Sequence, residues 1–247
     1  IEGEGQIKLQ DEFELIDYQM SNKDSDLNLI SNLYLSELNF KNHNLIKEYL
    51  PKTKDILSLK DQKIKVNYKD NTISLEGSGK IKLQKEFNKI DYFFSSKGKT
   101  YNFEIDLGIN DTILKIDSLN YKKDKNLNSQ LKINGNYNKK SGINFKKVNF
   151  LSKNNNLTIN DLAIDEKNKI VKVDKIDLDY FDNNEKKNKF VFSRTKNNNY
   201  KLNGSLFNAD SLIANLLKSK DDQKLDIFKD NINITINFSN VYLDKYN

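Results

Sequence analysis

The sequence predicts a mainly β protein, a long twisted antiparallel meander curled into an open groove, with two short amphipathic helices. Three observations predict it. Apolar and polar residues alternate through most of the 247 residues, short polar turns separate the alternating runs, and only two segments show helical spacing. Period two places side chains on opposite faces of a strand, so each run has one apolar and one polar face.

Taken in order, strands are expected over 3–10, 13–21 and 34–40. Helical spacing follows in 44–50, where Leu45, Ile46, Tyr49 and Leu50 share a face before Pro51 stops the helix. Ile64, Val66 and Tyr68 alternate with lysines and Asn67, and 71–76 and 87–94 read as further strands. Tyr101, Phe103, Ile105, Leu107 and Ile109 form the cleanest alternation. The pattern continues through 111–118, Leu131 and Ile133, 143–150 and 156–162. Val171, Val173, Ile176, Leu178 and Tyr180 keep the period with one slip between Val173 and Ile176, which predicts a bulge. Strands over 188–194 and 199–207 precede a second helix over 208–218, with Asn208 or Asp210 as N-cap. Ile232, Ile234, Ile236 and Phe238 close the series. Turns at Lys69-Asp70-Asn71, Asn110-Asp111, 138–142, 166–168 and 196–199 have hairpin lengths. Strands of seven to ten residues, roughly 23–34 Å each, are expected.

Composition narrows the function. There is no Cys and one His, His43, so disulfides and thiolate metal sites are excluded and no paired metal or triad signature exists. Carboxylate pairs such as Asp161/Asp165 and Asp221/Asp222 read as solvated faces in a chain that is 31% charged. No catalytic, metal or cofactor residue is expected. Net charge is +6, but Arg194 is the sole Arg and there are thirty-eight Asn. That balance reads as an AT-rich codon bias, and nucleic acid is not an expected partner because Arg is the usual reader of base edges. The sequons at Asn156, Asn203, Asn233 and Asn237 read as chance in an Asn-rich chain. The chain opens at Ile1 and stops at Asn247 just after an alternating run, which reads as a segment of a longer polypeptide.

Residues 2–23 and 76–97 match without gaps at fourteen of twenty-two positions, including Gly3/Gly77, Gly5/Gly79, Ile16/Ile90 and Tyr18/Tyr92. This predicts a duplicated hairpin in a single elongated, repeat-like domain over 1–247. The Gly pairs lack the third Gly and helix of a phosphate loop and read as bulges or close strand approaches. A meander with one apolar face must close, pack on a second sheet, be covered, or bind a ligand. Two short helices cannot cover a dozen strands, which leaves a curled trough with an apolar inner face, or an ordinary sandwich core.

The tail from Tyr200 to Lys218, with Gly204, Phe207, Asn208 and Ala209, a Leu-rich helix and then an alternating strand to Leu243, resembles the AsmA-like proteins of the YhdP and TamB type. Their pattern is a Gly-x-x-Phe-(Asp/Asn)-Ala turn, a short helix and a strand; Asn208 stands where Asp is common. Leu45 to Pro51 resembles their Tyr-Leu-Pro helix. The firm likeness covers about fifty residues at the C-terminus. The resemblance implies a periplasmic protein, anchored in the inner membrane through a segment outside this one, whose β-groove carries phospholipid toward the outer membrane. The expected partners are then phospholipid acyl chains. The expected groove lining is Ile64, Val66, Tyr101, Phe103, Ile105, Leu107, Ile232, Ile234, Ile236 and Phe238. The alternative is a structural or adhesive surface β-protein built of sandwich or solenoid modules.

Overall fold

The computed structural model describes residues 1–9, 12–23, 26–42, 44–196, 198–210 and 228–243. Antiparallel hairpins lead the chain through β1 (Glu2–Leu9), β2 (Glu12–Lys23), β3 (Asp26–Lys41), helix α1 (Asn44–Tyr49), β4 (Ile56–Lys69), β5 (Thr72–Lys82), β6 (Phe87–Lys97) and β7 (Thr100–Gly108). An excursion holds β8 (Leu114–Ile116), a 3-10 turn at Asp117–Leu119 and β9 (Tyr121–Lys123). The meander resumes with β10 (Ser129–Asn138), β11 (Gly142–Ser152), β12 (Asn155–Ile164), β13 (Ile170–Phe181), β14 (Lys187–Arg194), β15 (Asn199–Asn208) and β16 (Asn233–Tyr242). Fourteen of these strands form one open sheet in chain order, with β7 beside β10 and the small β8–β9 sheet standing apart. All pairings in the large sheet are antiparallel except β15 with β16.

The hairpin tips behave as their residues require. Asp70 and Asn71 both take left-handed φ, 50° and 56°, as a two-residue primed turn demands. Gly98 and Gly142 also have positive φ. Asp165 accepts hydrogen bonds from the N–H groups of Lys167 and Lys169 and so closes the β12–β13 turn.

The single layer is exposed. Its accessible surface is 16184 Å², whereas a compact globule of this mass exposes about 11,000 Å². Large apolar side chains therefore remain partly in solvent, from Ile30 and Ile73 to Ile236. The two rims differ in chemistry. β1 carries Glu2, Glu4 and Lys8, the kind of charge that discourages strand addition, while β16 reads NITINFSNVY without one charged residue or Pro.

Several expectations are corrected. β2, β3, β4 and β13 have 12, 16, 14 and 12 residues, longer than seven to ten. β3 and β4 extend the expected 34–40 and 64–69 toward earlier residues, because Asn28, Asn32 and Ser58 sit on strands that alternation alone does not mark. The strand expected over 111–118 shrinks to Leu114–Ile116, and Asn110-Asp111 opens the excursion instead of a hairpin. The slip between Val173 and Ile176 does not break the register, since Asn160 faces Lys175 and Leu162 faces Val173 in step. The irregularity sits on the partner strand, where Asp161 is left-handed (φ 51°), and the register shifts at Ala163/Ile164. Helix α1 ends beside Pro51 as its spacing predicts. His43, Asp221, Asp222 and residues 211–218 of the second expected helix lie outside the described residues.

The internal repeat has a physical cause. Gly3 faces Tyr18 across β1–β2 and Gly77 faces Tyr92 across β5–β6, in the same register 74 residues apart. A Cβ on Gly77 would stand 2.2 Å from the Tyr92 ring, and one on Gly3 would stand 2.7 Å from the Tyr18 hydroxyl. Each Tyr ring thus covers a Gly, an arrangement that only a missing side chain permits. Tyr92 Oη then donates to Gln62 Oε1 at 3.0 Å, and Gln62 Nε2 donates to the carbonyls of Lys60 and Lys80. Gly77→Val is expected to destabilise the protein by about 2 kcal/mol through overpacking. Adding Tyr92→Ala to it should recover part of that loss, and urea unfolding midpoints of the single and double variants check this.

Candidate apolar groove and its closed end

Register converts the alternation into continuous rows. One runs from Gly5 through Ile16, Leu33, Ile64, Gly77, Tyr92 and Ile105 to Ile133. It continues through Val148, Ile159, Ile176, Phe192 and Leu202 to Ile236. Every one of the fourteen strands contributes one residue, and none is charged. Thirteen inter-strand spacings of about 4.8 Å make this row roughly 62 Å long.

The expected lining residues fall on this one face. Ile64, Ile105 and Ile236 share the row just described. Val66 and Phe103 belong to a neighbouring row through Leu75 and Phe94, and Phe103 meets Phe145 edge-on at 5.9 Å. Leu107 and Phe238 share a third row through Leu131, Phe150, Leu157, Leu178, Phe190 and Gly204. Tyr101 stands further out, beside Tyr137. Ile234 continues the face on β16, and Ile232 lies just before that strand. Their surroundings differ: Ile64 and Leu107 are buried, Val66, Phe103, Ile105, Ile232 and Phe238 half-buried, and Tyr101, Ile234 and Ile236 exposed.

One end of the apolar face is closed. The excursion between β7 and β10 lays Leu114, Ile116, Leu119 and Tyr121 against the core around Ile109, Phe150, Leu178 and Tyr180. Tyr121 meets Phe150 and Tyr180 edge-on at 6.1 and 5.7 Å, and Tyr180 Oη donates to Leu119 O at 3.0 Å. Burial raises the Tyr121 and Tyr180 hydroxyl pKa above the ordinary tyrosine value. Gln84 clamps the excursion from the other side, donating to Ile113 O and accepting from Ile113 N. Its anchor is Lys123, 1% exposed, whose Nζ donates to the carbonyls of Asn110, Thr112 and Asp124 at 3.0, 2.8 and 3.0 Å. Alternation gives no sign of this lysine, because a polar residue between two turns looks solvated.

The residues of the Gly-x-x-Phe-Asn-Ala motif, expected as a turn, lie in β15 up to Asn208, and Phe207 and Ala209 belong to the core of this closed end. A Cβ on Gly204 would fall 2.4 Å from Phe238, and Phe207 stacks on Phe238 at 5.2 Å. Asn208 donates to the buried Asp182 at 2.7 Å, and its own N–H donates to Asn188 Oδ1. Asp210 N donates to Asn208 Oδ1 at 3.2 Å.

The opposite face holds a feature that sequence reading missed. Lys63, Lys65, Glu76, Asp91, Glu104, Asp106, Lys132 and Lys147, with Tyr34 and Phe93, line a concavity of about 980 Å³ spanning β3 to β7, β10 and β11. They form two adjacent polar rows, since Lys65 faces Glu76 and Lys132 faces Asp106, the latter pair joined at 3.0 Å. Ile64 and Ile105 also border it. Opposed charges across neighbouring strands neutralise this surface internally.

Among the described residues no group of acidic and histidine side chains is placed to hold a metal ion, and no helix is long and apolar enough to cross a membrane. No protein-family model, curated protein or solved structure matches the chain.

Burial lowers the Lys123 pKa from 10.5 to about 8, with Asp111 and Asp124 opposing the shift. A lysine depressed in the folded state is charged in both states below that value and in the unfolded state alone above it. Stability from this group therefore rises with pH until the unfolded lysine also deprotonates. Wild type is expected to gain about 2 kcal/mol on Lys123→Met between about pH 7.5 and 9.5. Urea titrations of both proteins at the two pH values check this, and parallel pH dependences would refute it.

Proposed function

We propose that this chain is a non-catalytic groove segment that carries phospholipid acyl chains along its apolar face. In this reading it is part of an AsmA-like periplasmic protein that moves phospholipid between inner and outer membranes and is held at the inner membrane by regions outside this segment. The observation that carries the proposal is the apolar row that crosses all fourteen strands in a single layer. An acyl chain supplies the apolar partner that a second sheet would supply in a sandwich. Each buried methylene contributes about 0.8 kcal/mol, so a chain of some sixteen carbons gains several kcal/mol after ordering losses. Repeated Ile, Val and Leu contacts are individually weak and equivalent, which suits sliding better than capture. The Gly204–Ala209 segment supports the family likeness because Gly204, Phe207 and Asn208 each have a packing or hydrogen-bonding role here. The structural or adhesive alternative, built of sandwich or solenoid modules, predicts no bound lipid; its sandwich form would also need a second packed layer, and the described residues form one large sheet and a small two-stranded one.

The structure separates two test positions. Ile105 packs against the core cluster, so Ile105→Asp buries a charge and is expected to unfold the segment. Ile236 is 64% exposed and Ile234 47%, so Asp at either should change stability by less than about 0.5 kcal/mol. Mass spectrometry of lipid co-purifying with wild type should detect phospholipid, and Ile234→Asp/Ile236→Asp should lower its amount. Photo-crosslinkers at Ile234 and Ile236 that capture no lipid in cells would sink the proposal.

A further inference from the structure

The two long sides of the sheet, where its turns lie, are chemically unequal. On one side the tips of the β4–β5, β6–β7 and β10–β11 hairpins are neighbours in the sheet, followed by the β12–β13 turn, where Asp165 and Glu166 offset Lys167 and Lys169, and the β14–β15 turn. The three hairpin tips present Lys69, Lys97, Lys99, Lys139 and Lys140, all exposed, against the single acid Asp70. Among the described residues none of these five lysines is in an ion pair; on the other side Lys115 and Lys122 face Asp117 and Asp124, and the exposed Lys52, Lys54, Lys85 and Lys153, also outside the ion pairs, are spread over the α1–β4, β5–β6 and β11–β12 loops with no row of tyrosines beside them. One or two residues inward from the tips, Tyr68 faces Ile73 and, on the far side of Ser96, Tyr101 faces Tyr137. Tyr101 is 51% exposed, Ile73 48% and Tyr137 39%, and the Tyr101 and Tyr137 rings lie 6.2 Å apart. The far side is closed by the Lys123-anchored excursion.

We infer that the lysine-tipped hairpin side is the mouth of the groove and that it selects phospholipids with anionic headgroups. This rests on the groove reading above and adds the lipid class and the side of entry. The lysines stand where a headgroup phosphate stays in water, and the tyrosines stand at the boundary where an amphipathic ring has one wet and one apolar end. Acyl chains then continue down the face past Phe94 and Phe103 toward Ile105. Five uncompensated lysines on three adjacent tips match net-negative headgroups better than zwitterionic ones.

The test offers the purified chain mixed vesicles of phosphatidylglycerol and phosphatidylcholine in equal parts, re-isolates the protein and counts each lipid by mass spectrometry. Phosphatidylglycerol is expected to be enriched on wild type, less so at high salt. A rim variant with Lys97→Gln, Lys99→Gln, Lys139→Gln and Lys140→Gln should lose that enrichment at least fivefold. A charge-matched control on the opposite side, with Lys52→Gln, Lys54→Gln, Lys85→Gln and Lys153→Gln, should keep it. Enrichment that survives in the rim variant, or falls equally in the control, overturns the inference. Both lipids retained without preference overturns the lipid class and side alone; neither lipid retained overturns the groove reading with it. Far-UV circular dichroism confirms that both variants keep the sheet.

Discussion

Register is the constraint on which this molecule depends. A single sheet with no second layer keeps its apolar residues together only if every strand places them on the same face. A slip of one residue in any strand would turn its entire apolar set outward. The pairings hold the rows in phase from Gly5 to Ile236, and the one-sided register shifts at Lys60/Lys63, Asn134/Gly135, Ala163/Ile164 and Lys189/Phe190 leave them unbroken. In β4 the inward residues pass from Leu57 and Leu59 to Gln62 and Ile64 across the left-handed Asp61, while β3 passes from Phe40 and Leu38 to Leu35 and Leu33. The two irregularities cancel, so the rows stay continuous.

A face kept in phase must still be filled unevenly, because a strongly twisted sheet cannot curve alike everywhere. Glycines opposite tyrosines let rings lie flat across the sheet at Gly3 and Gly77. At the closed end the excursion and the Phe190, Phe207 and Phe238 rings complete a packed apolar cluster. Lys123 is held there by three backbone carbonyls, so an ammonium group replaces the hydrogen-bond partners that a non-repetitive loop would otherwise lack. At the other end the tyrosines remain partly wet. The gradient from sealed to open lies along the strands, at right angles to the apolar rows.

Much of this was legible in the residues. Alternation marked the strands because a half-buried strand has no other way to satisfy two solvents, and Asp70-Asn71 marked its turn because both residues tolerate left-handed backbone. The 74-residue repeat marked a hairpin whose Gly and Tyr depend on each other. The excursion was illegible, since Ile113, Leu114 and Ile116 read as one more strand and only tertiary contacts take them out of the sheet. The length of β3 was illegible because Asn28, Ser31 and Asn32 interrupt its apolar pattern while still pairing with β2. The apolar positions were legible as a face but not as rows, since rows exist only between strands. The charged concavity was invisible for the same reason: Lys65 and Glu76 are eleven positions apart in the chain and side by side in the sheet.

In the large sheet each strand is hydrogen-bonded only to those directly beside it. Such a chain is coupled the way a row of dominoes is, through successive neighbours. Damage to one hairpin is then expected to be repaired or lost locally, and amide exchange should slow from the rims toward the excursion-sealed middle in place of one global opening. Closing contacts between adjacent strands also keeps loop entropy small, so assembly can proceed hairpin by hairpin as the polypeptide emerges.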